Sequence, residues 1–388
     1  MSRSGASSRP ERPGAASGSE SAATAAASGE PADGTPAVDD RRVLVVTGLA
    51  HKNERHYGPL ADVAGETTMV CLDPTGGVES ARTVRVPEVG PRIVRVFLLF
   101  VLALYEGYRN DYDAVASISL VPYGCYALAL KAIYGYPAHL GIIGIDLDHH
   151  AEQWYGPVPR WLFRRFDAVS VPGTAHAERL VRFGVPPDRI ERLTNAIEVD
   201  TYRPPERAVE TDYEFVWVGR FSAEKDPLRF VDALAELEAA DREFRAVMVG
   251  DGPLRSAVVD ELAARGLSDR VDCPGWVDEP LEYYHRSETF VLTSERDALP
   301  LVMLEAMATG LPAIVPPVGS IPDVVTDGEN GLVVSDREPA TVAAAMERCL
   351  DDPDFRRSLG AAATAVRSDV SLERASEDWR RILATLER

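Results

Sequence analysis

A strand–helix pattern written twice limits what this chain can fold into. From Arg42 onward, short β-branched or apolar runs alternate with longer amphipathic stretches. The first set of runs is RVLVVTG, TTMVCL, TVRVP, YDAVASISL, AHLGIIGID, FDAVSVPG and IERLTN. Helical spacing falls between them, over about 91–109, 126–134, 158–165 and 174–183. The polar, turn-rich segment DTYRPPERAVETD (200–212) then interrupts, and the alternation restarts with YEFVWVGR, FRAVMVGDG, RVDCPG, TFVLTS, PAIVP and GLVVS. Strands separated by helices predict parallel sheets covered on both faces. The expected fold is therefore α/β, with two doubly wound, Rossmann-like domains. Residues 1–40 read as a disordered tail, 41–205 as the first domain and 206–371 as the second. Residues 372–388 form an amphipathic helix expected to pack back on the first domain.

Charge narrows the partners. The net charge is −20, and the chain has only three lysines: Lys52, Lys131 and Lys225. An acidic, lysine-poor surface suits a salt-rich, halophile-like cytoplasm, because salt screens the repulsion between carboxylates. Nucleic acid is excluded as a broad partner, since it needs a basic face. The four cysteines, Cys71, Cys125, Cys273 and Cys349, show no metal-ligand spacing. The first forty residues lack an apolar stretch of signal-peptide type, so a cytoplasmic chain is expected. The longest apolar run, VFLLFVLALY from Val96 to Tyr105, is too short to span a bilayer. It reads first as a buried helix. Arg92, Arg95 and Arg109 around it, and the basic, aromatic WYGPVPRWLFRRF, keep open a peripheral association with the inner face of a membrane.

In open parallel sheets, ligands bind beyond the carboxyl ends of the strands. In the second half those ends carry Gly219-Arg220, Gly250-Asp251-Gly252 and the loop from Ser294 to Pro300. Arg220 follows its strand directly and Lys225 stands five residues on, at a helix start. A forked guanidinium and an ammonium there suit a diphosphate; ordinary surface ion pairs, with Glu224 as a partner, are the plainer reading. Gly-Asp-Gly-Pro is explained by a tight turn with Pro253 opening a helix. Pro300 likewise suits a first helical position, leaving Asp297, Ala298 and Leu299 in the loop before it. The free amides of that first turn, including those of Leu301 and Val302, can hold an anion. Glu305 is a carboxylate inside the apolar run LVMLEAMA, roughly 7.5 Å along the axis. It predicts either a ligand whose hydroxyls it accepts or an arginine from across a domain interface.

Four segments of the second half follow one family's order and spacing: VGRFSAEKDPLRFVDAL, VGDGPLRS, CPGWVDEPLEYYHRSETFVLTSERDALPLVMLEAMATGLPAIV and GSIPDVVTDGENGLVV. In these the chain resembles the retaining glycosyltransferase family 4, of GT-B fold. In the first half, GVPPDRIERLTNAIEVDTYRP, with Asn195 and Asp200, and GIIGIDL are similar to family segments more thinly. The resemblance implies two Rossmann-like domains facing a central cleft and a UDP- or GDP-sugar donor held mainly by the second. It makes Arg220 and Lys225 the diphosphate binders and places Asp297 beside the donor sugar, these three being the catalytic candidates. It assigns Glu305 to the ribose, the base to Trp276 and Val277, and further donor contacts to Gly219, Ala298, Leu299, Pro300, Leu301 and Val302. No cofactor is implied beyond the sugar nucleotide as substrate.

The chain also departs from that family. Asp297 replaces a glutamate, Ala298 a glycine, and Ile143 the histidine of an HGxD motif in which only Gly144 and Asp146 match. Only Gly48 stands near the place of a double-glycine loop. The acceptor-side candidates are Gly48, Asp146 and His149, with His51 and His150 as other stand-ins for the histidine. DLDHH (146–150) also has the look of a metal site, but the GT-B resemblance requires no metal. The expected function is metal-independent, retaining transfer of a sugar to a glycan, lipid-linked or small-molecule acceptor. A non-catalytic, sugar-nucleotide-binding subunit of a glycan-assembly system and a nucleotide-sugar epimerase are the alternatives.

Overall fold

The computed structural model describes residues 40–73, 77–207 and 209–387; the side chains of His51 and Ile145 lie outside that description. The tail expected over residues 1–40 lies, but for Asp40, outside the described residues.

Each of the thirteen β-type runs becomes a strand. The first sheet holds β1 (Arg42–Thr47), β2 (Glu66–Cys71), β3 (Arg82–Arg85), β4 (Ala114–Ile118), β5 (Ala138–Gly141), β6 (Ala168–Val171) and β7 (Ile190–Arg192). They lie side by side in the order β3-β2-β1-β4-β5-β6-β7. The second sheet holds β8 (Tyr213–Val218), β9 (Ala246–Val249), β10 (Val271–Gly275), β11 (Ser287–Val291), β12 (Ala313–Val315) and β13 (Gly331–Val333), ordered β10-β9-β8-β11-β12-β13. The pairings are parallel. In each sheet the order reverses beside the first strand. Such a switch point opens a crevice above the strand ends, where ligands bind.

Both faces of each sheet are covered, which is why central strands such as β1, β4 and β9 are almost wholly buried rather than alternating, while the edge strands β3 and β7 are polar and partly exposed. One face of the first sheet packs Leu99, Ala103, Leu130, Phe163 and Leu180 from the crossover helices. The other face is closed by helix Leu372–Thr385, whose Trp379, Ile382 and Leu383 lie among Val43, Val45 and Tyr57. Trp379 Nε1 donates to the His56 carbonyl at 3.1 Å, and Asp378 Oδ2 accepts the Thr194 amide at 2.7 Å.

The structure corrects three local expectations. Pro300 is the N-cap and the helix begins at Leu301; Pro253 lies in a turn before a helix that begins at Arg255. The Val96–Tyr105 run is not wholly buried. It belongs to helix Arg92–Arg109, which buries Leu99 and Ala103 and leaves Phe97, Val101 and Tyr105 exposed. Strand β5 also stops at Gly141, short of the full GIIGID run, which bends through Gly144 into a short helix, Ile145–Asp148.

Candidate functional site

The site is built on strand ends of the second sheet. After β8 the chain turns at Gly219 and is held there by its neighbour: Gly219 N–H donates to Val249 O at 3.0 Å and Phe221 N–H to Asp251 O at 2.9 Å. Gly250 has φ +138°, and a Cβ on it would lie 1.9 Å from the Gly219 carbonyl. That close approach, rather than ligand contact, explains the first glycine of Gly-Asp-Gly. Arg220 is thus fixed at its backbone while its side chain stays exposed, with no ion pair among the described residues.

Lys225 is anchored from behind. Trp217 Nε1 donates to Thr293 Oγ1 at 3.0 Å, and that hydroxyl lies 3.2 Å from Lys225 O and 2.8 Å from Asp226 O. Asp226 takes a left-handed conformation (φ +46°) as N-cap of helix Pro227–Ala239, and its carboxylate accepts from Arg337 at 3.0 Å. The Lys225 ammonium reaches across to pair with the Asp297 carboxylate.

The loop from Ser294 to Pro300 is held at several points. Glu295 N–H donates to Glu224 O at 2.8 Å, tying this loop to the Lys225 loop. Ser320 N–H donates to Ala298 O at 2.7 Å. Gly319 (φ +56°) passes so close that a Cβ would lie 1.9 Å from Asp297 O. From the first domain, Asn195 Nδ2 donates to Leu299 O at 3.0 Å, and Arg296 reaches Asp148 O at 3.3 Å. In helix Leu301–Ala308 the Met303 and Leu304 amides bond back to Pro300 O, so the Leu301 and Val302 amides precede the helical ladder.

Glu305 is buried, and its partner is neutral. The Tyr284 hydroxyl lies 3.3 Å from Glu305 Oε2 and 3.2 Å from Val302 O. No ion pair engages Glu305 among the described residues. Burial pushes its carboxyl up, opposed by the charge of Arg55 from the first domain. Burial, with Glu305 nearby, likewise raises the Tyr202 hydroxyl. An arginine does therefore face Glu305 across the interface, but through space rather than as a bonded pair.

These groups converge. All twelve residues expected at the donor line one cavity of about 480 Å³: Gly219, Arg220, Lys225, Trp276, Val277, Asp297, Ala298, Leu299, Pro300, Leu301, Val302 and Glu305. Sequence reasoning missed Lys52, Arg55, His56 and Tyr202, which line it as well. Lysine scarcity was a usable signal for Lys52, since two of the three lysines share this cavity. Nothing in the spacing marked Arg55 or Tyr202.

The acceptor-side candidates separate. His149 lines an adjoining cavity of about 410 Å³, together with Asp148, Arg296 and the shared Lys225 and Asp297. Asp146 does not reach either cavity: it is buried and accepts the Leu120 amide at 3.1 Å, and burial raises its carboxyl. Gly48 lies against Tyr123 and lines neither cavity. Asp148 is taken up by His176 and Arg179; burial would raise its carboxyl, but these contacts outweigh it and hold it below the usual range. His150 Nδ1 lies 2.7 Å from the Tyr155 hydroxyl.

Two parallel-sheet Rossmann-like domains with strand ends turned to a shared cleft define the GT-B class of glycosyltransferase folds. Residues 60–201 match the model described as Glycosyltransferase Family 4, and residues 198–366 match that of Glycosyl transferases group 1. The chain belongs to this glycosyltransferase family. It is similar to the alpha-D-kanosaminyltransferase of Streptomyces kanamyceticus, at 34% identity over 37% of this chain and 38% of the relative. It is also similar to the D-inositol 3-phosphate glycosyltransferase of Frankia alni, at 32% identity over 46% and 48%. The matched region spans about half or less of these relatives' lengths. Among solved structures, Anabaena Alr3699/HepE in complex with UDP-glucose superposes with a TM-score of 0.73, 16% identity, and coverage of 89% of this chain and 99% of that one.

Proposed function

We propose that this chain transfers a sugar from a nucleoside-diphosphate sugar to an acceptor hydroxyl, with retention at the anomeric carbon. One observation carries the reading: two cations, a helix N-terminus and a buried carboxylate share a single cavity at the carboxyl edge of the second sheet. A diphosphate fits between Arg220, Lys225 and the Leu301 and Val302 amides. Glu305 lies further along the same wall, where a ribose would present its hydroxyls to the unpaired carboxylate oxygen. Asp297 sits between the two cavities and would face the transferred sugar. The solved neighbours holding UDP or UDP-glucose support a sugar nucleotide as donor.

As the glycosidic bond to the diphosphate breaks, negative charge grows on the leaving phosphate. Arg220, Lys225 and the helix amides would stabilise it, Lys225 by exchanging the Asp297 carboxylate for the phosphate, and this set can act without a metal. The acceptor would enter beside His149, in the cavity that shares Lys225 and Asp297.

Calorimetry with a panel of UDP- and GDP-sugars, followed by transfer assays with and without chelator, tests the reading. Binding of one donor with turnover to an acceptor is expected. Binding without turnover across acceptors points instead to a non-catalytic subunit, and donor isomerisation with no acceptor present to an epimerase.

A further inference from the structure

Helix Arg92–Arg109 has 18 residues and two unlike faces. Leu99, Ala103, Glu106 and Gly107 face the core. Opposite them, Ile93 is 77% exposed, Phe97 62%, Val101 41%, Tyr105 51% and Tyr108 77%. At 100° per residue these five fall within a sector of about 120°, so they form one stripe rather than scattered exposures. A stripe of large apolar side chains left in water marks an interaction surface.

The surroundings of the stripe say what covers it. Helices Cys125–Tyr134 and Pro157–Phe163 lie on the same side of the first sheet, sharing one buried cluster with helix Arg92–Arg109. Phe100 stacks on Tyr126 at 4.7 Å between the first two. Trp161 and Val158 on the third are exposed, as is Ile133 on the second. The three helices together carry five basic residues and one acid. That acid, Glu106, is buried and paired with Arg82, and Lys131 is paired with Asp167, which leaves four arginines with no ion pair among the described residues. In a chain of net charge −20 this is a basic face. Arginines beside exposed phenylalanine, tyrosine and tryptophan match a headgroup boundary, where the ring enters the acyl edge and the guanidinium stays at the phosphates. A second copy of the same face would set arginine against arginine. Among the described residues no helix is long and apolar enough to cross a membrane, so the helix would lie in the surface plane.

We propose that this face, centred on Ile93, Phe97, Val101, Tyr105 and Tyr108, docks on a lipid bilayer bearing anionic headgroups. The net negative charge of the molecule is repelled by such a surface, which favours the orientation that turns this basic face towards it. The amino-terminal end of the helix is its cleft end: Arg92 lies beside the Tyr123 hydroxyl, which packs on Gly48 just past β1. Docking therefore holds the cleft near the headgroups, where a lipid-borne acceptor would be carried. That consequence rests on the transferase reading; the docking itself does not.

Flotation of the full chain with vesicles tests the proposal. Vesicles of equal parts phosphatidylglycerol and phosphatidylcholine are compared with phosphatidylcholine alone, at low and high salt. The chain is expected to float with the anionic vesicles, less so at high salt. Ile93→Ser/Phe97→Ser, which alters only exposed positions, is expected to lower the bound fraction at least about tenfold while keeping the wild-type melting curve. Arg109→Gln is expected to reduce the preference for anionic vesicles, and it keeps the test open should the double variant misfold. Recovery in the soluble fraction with every vesicle, or equal flotation of wild type and variants, overturns the proposal. So does a dimer, seen by sedimentation, that the double variant abolishes and vesicles do not disturb. Sugar-nucleotide binding measured without vesicles reports separately on the transferase reading.

Discussion

Lys225 and Asp297, seventy-two residues apart, form an ion pair across the mouth of the second sheet, between the two cavities of the cleft. A carboxylate there neutralises the ammonium while the site is empty and competes with phosphate for it. Asp297→Asn removes the competitor, so UDP should bind on the order of a few-fold tighter by calorimetry while transfer slows. Lys225→Ala should slow transfer by about 10²–10³, the usual loss of one preorganised donor to a developing anion. Near-normal turnover in Lys225→Ala would remove the phosphate role.

Glu305 gives a pH signature. Burial raises its carboxyl, so in the empty protein it takes up a proton at higher pH than an exposed glutamate does. Two ribose hydroxyls donate more strongly to the ionised form, whose two oxygens both accept, than to the protonated form, which keeps a proton on one of them. Donor affinity should therefore be flat above the raised value and fall as pH drops through it. Glu305→Gln should abolish that dependence and weaken binding at neutral pH by about 1.5–3 kcal/mol, the range for hydrogen bonds to a charged group. Stability moves the other way. A raised folded value contributes stability that is complete at low pH and lost as pH rises through it. Glu305→Gln should thus raise Tm of the empty protein at neutral pH; a lower Tm would contradict the assignment of burial as the main cause.

Trp379 ties the end of the chain to the first domain. It is fully buried, lies 4.8 Å from the His139 ring and donates to His56 O. Trp379→Ala should cost about 3–5 kcal/mol in urea unfolding, from lost contacts and the cavity left behind. A cost below about 1 kcal/mol would mean the helix contributes little to the first domain's core.

His149 lines the cavity that shares Lys225 and Asp297, and its ring is 5.2 Å from that of His150. His149→Ala should lower kcat/KM for the acceptor while leaving UDP affinity unchanged. Equal loss of both would place it on the donor instead.

Much of this was legible in the chain because it is local. Central strand runs are apolar along most of their length where sheets are buried on both faces, and the polar edge runs that became β3 and β7 were legible from their place in the strand–helix alternation. The donor loops follow directly from strand ends, so their residues were legible too. Asp146 shows the limit: its motif position suggested the cleft, but its carboxylate is spent on the Leu120 amide inside the fold. Arg55 and Tyr202 show the converse, since only the meeting of two domains brings them to Glu305.

Sequence by itself determined the two parallel α/β halves, their family and the residues at the strand ends. These depend on periodicity and on turns of a few residues, which neighbouring side chains dictate. Tertiary structure alone decided which cations meet the carboxylates and which face of helix Arg92–Arg109 is left in water. Both depend on contacts between residues tens to hundreds of positions apart. Periodicity can mark a helix as apolar, but only packing decides how much of its apolar surface the core has room to cover.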